Sequence, residues 1–349
     1  MTLKESLLWP LSLPYGVIVR LRALAYQKGI LRRRHLPGVV ISVGNLTVGG
    51  TGKTPMVLWL AERLLAEGKK VGILTRGYKG KSVDGFADKL PITARPEVGS
   101  TSDEVQLLHS RLDDRVLFGV GANRYSKGVA LVARGVNWFI LDDGFQHLQL
   151  VRNVDIILID ASKPFGGGHL LPAGRLRESR RALKRADVIV ITRSAHAPAV
   201  ESVIRRHSPA PIFYANAELT SLRSHTHSQR TAVEAQSKKL FTFCGIGNPN
   251  AFIADLRDWG FQIAGHKFFP DHHRYSRFDI AEIEKEAKTA GAAGLICTEK
   301  DSFNLPEALP SMDLWICAIS LHIDREDDLW RVLIKKALSN APDTRRESR

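Results

Sequence analysis

The chain has 349 residues, enough for two α/β units with a large core, and its 44% hydrophobic and 25% charged content is ordinary for a soluble protein. No window reaches the roughly 18–20 apolar residues that a spanning helix needs, and Cys244, Cys297 and Cys317 are too scattered for a metal site or a disulfide framework, which suits a reducing compartment. A formal net charge of +14, from 50 basic and 36 acidic residues, points to an anionic partner: a membrane surface, a phosphorylated substrate or nucleic acid.

The charge is unevenly spread. No acidic residue lies between Glu5 and Glu62, whereas Arg20, Arg22, Lys28, Arg32, Arg33 and Arg34 fall inside that gap. Residues 6–34 carry a broken helical stripe that includes Leu7, Leu11, Val17, Ile18, Leu21 and Leu24, with Trp9, Tyr15 and Tyr26 as interfacial aromatics. Pro10 and Pro14 argue against one continuous helix. Together these features predict an amphipathic segment, residues 1–36, that lies on a membrane rather than crossing it. Each basic residue near an anionic leaflet contributes on the order of 1 kcal/mol, so six supplement modest apolar burial. The prolines and arginines interrupt any signal-peptide core.

A β-branched run at 39–43 leads into Gly44-Asn45-Leu46-Thr47-Val48-Gly49-Gly50-Thr51-Gly52-Lys53-Thr54, and a helix-period segment leads out. Strand, glycine loop, Lys-Thr and helix is the P-loop layout. Glycines let the backbone turn its N–H groups inward, and the following helix aims its positive end at the anion. Residues 47–54 (Thr47, Val48, Gly49, Gly50, Thr51, Gly52, Lys53 and Thr54) are thus the predicted nucleotide cradle. Lys53 should reach the β- and γ-phosphates and Thr54 should hold Mg²⁺. Thr47 stands where the usual pattern has its first Gly.

Strand 71–75 ends at Arg76-Gly77-Tyr78, on the sheet edge that carries ligands in open α/β folds. Residues 79–102 are polar and Gly/Pro-bearing, which suggests a lid. Asp103 opens the next helix; from spacing alone it is a cap or a site residue. Strand 138–141 runs into Asp142-Asp143, and one of these acids should support Mg²⁺. Another strand, 154–159, ends in Asp160, and the basic run through Arg175, Arg177, Arg180, Arg181, Lys184 and Arg185 precedes strand 188–192. These elements define a P-loop NTPase-like α/β/α domain over 37–210. The Ser/Thr/His/Gln-rich stretch at 211–238 reads as a linker. A smaller α/β/α domain follows over 239–340, with strands near 240–244, 261–266, 295–298 and 314–318. Its Gly245-Ile246-Gly247 turn is a weak echo of a dinucleotide loop, and residues 340–349 read as a disordered tail.

Eight motifs carry a resemblance. They are Gly-Asn-Leu-Thr-Val-Gly-Gly-Thr-Gly-Lys-Thr-Pro (44–55), Arg-Gly-Tyr (76–78), Ser-Asp-Glu (102–104), Ala-Asn-Arg (122–124), Asp-Asp-Gly-Phe-Gln-His (142–147), Leu-Pro-Ala-Gly-Arg-Leu-Arg-Glu (171–178), Phe-Pro-Asp-His (269–272) and Thr-Glu-Lys-Asp (298–301). In this order they resemble the tetraacyldisaccharide 4′-kinase family, the lipid A kinases of Gram-negative bacteria. Thr47 is shared with that family, whereas Ser102 replaces its usual Gly. The resemblance implies γ-phosphoryl transfer from ATP, with Mg²⁺, to the 4′-hydroxyl of a lipid A disaccharide precursor at the cytoplasmic face of the inner membrane. It implies that Asp103 takes the hydroxyl proton while His272 tunes it, and that Arg177 neutralises developing charge. It further implies that Glu178 joins Asp142 or Asp143 at the metal, and that Arg76, Arg124, Gln146 and His147 hold the disaccharide.

Two other readings are weaker. A P-loop GTPase or ATPase acting as a metal-insertion or assembly chaperone should carry Cys/His clusters or Asn-Lys-x-Asp. A nucleic-acid binder should carry interleaved aromatic and basic residues. The sequence has neither set, and no protein partner is predicted.

Overall fold

The computed structural model describes residues 3–77, 102–224, 232–307 and 310–340. Tyr78, most of the predicted 79–102 lid and the tail beyond Asn340 lie outside the described residues. The elements in chain order are α1 (Leu3–Gln27), β1 (Val39–Asn45), α2 (Lys53–Ala66), β2 (Val71–Thr75), α3 (Asp103–Leu112), β3 (Val116–Val120), α4 (Arg124–Val132) and β4 (Trp138–Asp142). Then come β5 (Val154–Asp160), β6 (Val188–Thr192), α5 (Pro198–Arg205), β7 (Ile212–Ser224), α6 (Ala232–Gln236), β8 (Lys239–Cys244) and α7 (Pro249–Asp258). The chain ends with β9 (Gln262–Phe268), α8 (Arg277–Thr289), β10 (Gly294–Thr298), α9 (Glu299–Ser302), β11 (Leu314–Ile323) and α10 (Glu326–Ser339).

The eleven strands among the described residues form one sheet, in the order β3-β2-β4-β1-β5-β6-β7-β11-β10-β8-β9. Every pairing is parallel except β7 with β11. The central strands are buried on both faces, which explains their near-continuous Val/Ile/Leu runs. Parallel pairing places the carboxyl ends of β1, β4, β5 and β6 along one edge, where the P-loop and the Asp142-Asp143 pair emerge.

The predicted linker at 211–238 contains β7 and α6 instead. Residues Ile212 to Ala215 pair with β6, and Ala215 to Ser224 pair antiparallel with β11, so one long strand joins the two halves of the sheet. The second stretch of β7 is only half-buried, and its polar side faces water, which hides a strand behind a linker-like composition.

The C-terminal helix also departs from the sequence reading, which assigned it to the second domain. In α10, Leu329, Trp330, Leu333 and Ala337 pack into the core formed by β1, β5 and α2. Trp59 and Trp330 meet edge-on at 6.1 Å, and the Trp330 indole N–H donates to Glu67 at 2.7 Å. The P-loop helix is therefore gripped by the end of the chain.

The N-terminal segment is one helix despite its prolines. Pro10 and Pro14 each remove a backbone donor, but α1 projects so much of its surface into solvent that the freed carbonyls can be hydrated. Contrary to the composition-based expectation, Leu7–Gln27 is long and apolar enough to cross a membrane, by length and composition alone. It touches the body through an apolar contact of Gly16 with the Leu170 side chain and through several hydrogen bonds. The Ser12 hydroxyl donates to the Leu170 carbonyl at 3.0 Å and accepts from the Ala173 N–H, and the Tyr15 hydroxyl donates to the Arg177 carbonyl at 3.0 Å. Leu7, Leu11, Leu13, Val17, Ile18 and Leu21 remain exposed.

Trp330→Ala should destabilise the protein by about 3 kcal/mol through loss of buried aromatic surface. Chemical denaturation of the full chain measures this, and a change under 1 kcal/mol would contradict the packing of α10 on the P-loop helix.

Candidate active site

The P-loop follows β1 directly. Gly49 and Gly52 adopt φ of 117° and 85°, values that other residues rarely reach, and Gly52 caps the amino end of α2. Thr51 is buried; its hydroxyl accepts from the Asn45 amide at 2.9 Å and its carbonyl accepts from the Thr192 hydroxyl at 3.3 Å. Arg175 pins the other side of the loop. Its carbonyl accepts the Val48 N–H at 2.9 Å, and its Nε donates to the Val48 carbonyl at 3.1 Å. The loop is thus held from β1, β6 and the 170–177 segment, leaving α2's amino end directed at the cavity.

Charged groups alternate across the floor of that cavity. Lys53 Nζ lies 3.5 Å from Asp143 Oδ1, and Arg177 Nη1 donates to Asp143 Oδ2 at 2.6 Å. Burial alone would raise the Asp143 carboxyl, but Lys53 and Arg177 bring it below the usual carboxylate range. Its neighbour Asp142 has the opposite fate. Burial and the Glu104 and Asp143 carboxylates push it up to about 7, against Lys53 and a bond from the Thr75 hydroxyl. Asp143 Oδ1 is buried without a hydrogen bond. Such an atom beside a crowded carboxylate is a fitting donor for a divalent cation. Glu178 stands apart: both its oxygens accept from Arg185 at 2.9 Å, and Oε1 also accepts from the Gln146 amide. Gln146 in turn accepts from Arg177, which donates to Asp143, so Glu178 is tied to the cluster through these side chains.

Across the cavity, Asp103 at the start of α3 meets His272 from the β9–α8 loop. His272 Nδ1 lies 2.7 Å and 3.0 Å from the two Asp103 oxygens, although 169 positions separate the residues. His272 has a φ of 63°, and its N–H donates to the Gly245 carbonyl at 3.0 Å, which fixes the ring's approach. The Asp103 bond holds His272 above its ordinary pKa, while burial opposes it. The cavity, of about 840 Å³, is lined by the P-loop, both aspartates, Arg177 and His272. It also receives Arg76, Arg124, Gln146 and His147, together with Tyr15, Val19 and Arg22 of α1. Arg124 Nε and His147 Nε2 are buried there without hydrogen-bond partners. Burial and the charges of Arg124, Arg152 and Arg22 push His147 down to about 4, so it enters the site neutral. All the sequence-predicted residues except Asp103 and Thr47 line this one hollow, and those two adjoin it through His272 and the P-loop.

The family model for tetraacyldisaccharide-1-P 4′-kinase matches residues 4–338. The chain belongs to this family. Among curated relatives, the tetraacyldisaccharide 4′-kinase of Geobacter metallireducens is 41% identical over 319 residues, covering 90% of this chain and 92% of the relative. The enzyme of the same name from Desulfotalea psychrophila is 39% identical over 320 residues, covering 89% and 90%. A crystal structure of the "apo" form of LpxK from Aquifex aeolicus in complex with ATP superposes with a TM-score of 0.70 at 31% identity, over 95% of this chain and 99% of that one.

In this member of the tetraacyldisaccharide 4′-kinase family, several site contacts escape sequence reasoning. The Gly245-Ile246-Gly247-Asn248 turn sits directly on the P-loop: a Cβ on Gly247 would lie 2.3 Å from the Gly50 nitrogen. Asn248 donates to Asp160 at 2.9 Å, and Arg193 spans from Asp160 to Asp255 of α7. The only hint in the sequence was the glycine spacing of the turn. Gly247→Ala should force this turn off the P-loop and weaken nucleotide binding at least tenfold; calorimetric titration showing unchanged affinity would contradict the contact.

Proposed function

We propose that this chain transfers the γ-phosphoryl group of ATP to the 4′-hydroxyl of a tetraacyldisaccharide 1-phosphate, in lipid A biosynthesis. The observation that carries the reading is the convergence, in a chain of this family, of a P-loop lysine and an Asp–His pair on one hollow. The amides of residues 47–54 and Lys53 hold the triphosphate, and Arg177 offsets charge that develops on the transferred group. The 4′-oxygen attacks the γ-phosphorus, the bond to the β–γ bridging oxygen breaks, and ADP leaves. The hydroxyl proton passes to Asp103, whose carboxyl His272 orients. A carboxyl held below its ordinary pKa is a weak base, which suits a loose transition state in which the hydroxyl proton leaves late.

Mg²⁺ is the expected companion of ATP and would supply charge neutralisation at the phosphates. The Thr54 hydroxyl and Asp142 or Asp143 would hold it. Among the described residues no group of three or more His, Cys, Asp or Glu side chains converges as a metal cage. Mg²⁺ ordinarily binds through one or two carboxylates together with substrate phosphates. Arg76, Arg124, Gln146 and the neutral His147 are placed to hold the phosphorylated disaccharide, with Arg124 and His147 each offering an unpaired nitrogen.

The acceptor's acyl chains require a route from the bilayer. The exposed face of α1, with Leu7 at 80% and Ile18 at 64% exposure, suits insertion at the cytoplasmic face of the inner membrane. Arg20, Lys28, Arg32 and Arg33 follow on exposed positions that suit anionic headgroups. Tyr15, Val19 and Arg22 connect this face to the cavity.

An assay with ATP and a purified lipid A disaccharide precursor, with a simple sugar as control, tests the reading. Lys53→Ala should reduce turnover by about a thousandfold or more, and Asp103→Asn should lower kcat by about 100-fold while leaving ATP affinity nearly intact. Near-normal turnover in both variants would refute the proposal. Deleting residues 1–30 should shift the protein from anionic vesicles to the supernatant on sedimentation, and unchanged pelleting would remove the anchoring role of α1.

A further inference from the structure

The Thr-Glu-Lys-Asp motif at 298–301 has no part in the chemistry above, yet each of its side chains is engaged. Thr298 caps α9, accepting the Asp301 N–H at 3.2 Å. Asp301 is fully buried and accepts from the Gly245 N–H at 2.7 Å and the Tyr275 hydroxyl at 2.8 Å. Gly245 is the residue whose carbonyl receives the His272 N–H. Glu299 accepts from Arg111 of α3 at 2.9 Å and from Arg223 of β7 at 2.8 Å. Lys300 lies 3.0 Å from Asp271, 3.7 Å from Glu104 and 3.9 Å from Asp103. Just beyond the motif, Asn304 donates to Asp103 Oδ2 at 3.0 Å.

We propose that Lys300 and Asn304 are positioning residues for phosphoryl transfer, holding the Asp103 carboxylate of α3 in register with the His272 loop. The two partners of the Asp–His pair come from opposite halves of the sheet, on separate elements. A single ammonium shared by Asp103 and Glu104 on one side and Asp271 on the other ties those elements together. Asn304 occupies the Asp103 oxygen that otherwise could rotate away from the histidine. Lys300 is only 17% exposed, so its charge acts with little solvent screening.

The electrostatics agree with this geometry. Burial would raise the Asp103 carboxyl, but the His272 bond, the Lys300 charge and the Asn304 amide bring it below its ordinary value. For Lys300, burial alone would lower the ammonium, but Glu104, Asp103 and Asp271 hold it above its usual range, so it stays charged. The charged groups facing this ammonium are Asp103 and Glu104 from α3, Asp271 and His272 from the β9–α8 loop, and Asp301 from its own turn. Removing the cation should raise the pKa of both Asp103 and His272, since it lowers each in the intact protein.

The inference rests on the reading of Asp103 and His272 as the groups that act on the acceptor hydroxyl. Steady-state kinetics of the full-length Lys300→Gln, Lys300→Arg, Asn304→Ala and Asp103→Asn variants, with calorimetric ATP binding, provide the test. Lys300→Gln should lower kcat by about 10- to 100-fold while ATP affinity changes less than about twofold. The acid limb of its kcat/KM profile should move to higher pH, because the raised carboxyl needs a higher pH to ionise. Lys300→Arg should return that limb toward its original position, and Asn304→Ala should reproduce a smaller fall in kcat. In the Asp103→Asn background, Lys300→Gln should add little.

Unaltered kcat and an unmoved acid limb in Lys300→Gln would overturn the inference. So would a loss that multiplies fully with that of Asp103→Asn or that falls equally on ATP affinity. If Lys300→Gln does not fold, Asn304→Ala decides by the same kcat and double-variant criteria. Full activity in Asp103→Asn itself would instead sink the reading on which the inference stands.

Discussion

Balanced charge at the carboxyl edge of the sheet is the constraint on which the site depends. Two adjacent aspartates at the end of β4, a lysine at the start of α2 and an arginine from the 170–177 segment converge there. Lys53 and Arg177 bring the Asp143 carboxyl below its usual range, while burial and the Glu104 and Asp143 carboxylates push Asp142 up to about 7. The proposed triphosphate and divalent cation would resolve this imbalance, because they would bring negative charge to Lys53 and Arg177 and positive charge to the aspartates. The protein is thus prepared for its ligand by what its own groups leave unsatisfied.

The backbone around that edge is held by contacts from several elements. The P-loop is pinned from three sides, and α2 is clamped from behind by the tryptophan pair it forms with α10. The second half of the sheet contributes differently. It delivers a glycine turn onto the P-loop and a histidine onto α3, and it reaches them through one continuous strand, β7, that belongs to both halves. The family's phosphoryl transfer requires nucleotide and acceptor to meet, and this topology brings the P-loop, the paired aspartates and His272 to the lining of one hollow.

The N-terminal helix extends the same hollow toward solvent. Among the described residues, Ser12, Tyr15 and Arg22 hydrogen-bond to the 170–177 and 146 segments that also carry Arg177 and Gln146. Leu7, Leu11, Leu13, Val17, Ile18 and Leu21 are exposed on the same helix. A helix with so little burial gains its stability from elsewhere, and a bilayer that surrounds its exposed side would supply that stabilisation while presenting an acylated acceptor beside the phosphate site.

Local chemistry made the core of the site legible from the chain alone. A glycine loop before Lys-Thr and a buried strand ending in two acids have the same meaning wherever they occur, because steric freedom and charge are properties of a few neighbouring residues. Composition misled where an element's identity depends on its surroundings. The polar second half of β7 is a strand because β11 lies beside it, α1 passes through two prolines because water can satisfy its freed carbonyls, and α10 belongs with the P-loop helix because Trp330 finds Trp59. The meeting of His272 with Asp103 was implied by the family resemblance but not by spacing, whereas the seat of Gly247 on the P-loop and the grip of Lys300 on three acids were decided only by the tertiary structure. Each joins residues far apart in the chain, and no local preference specifies which distant partner will complete a hydrogen bond or balance a buried charge.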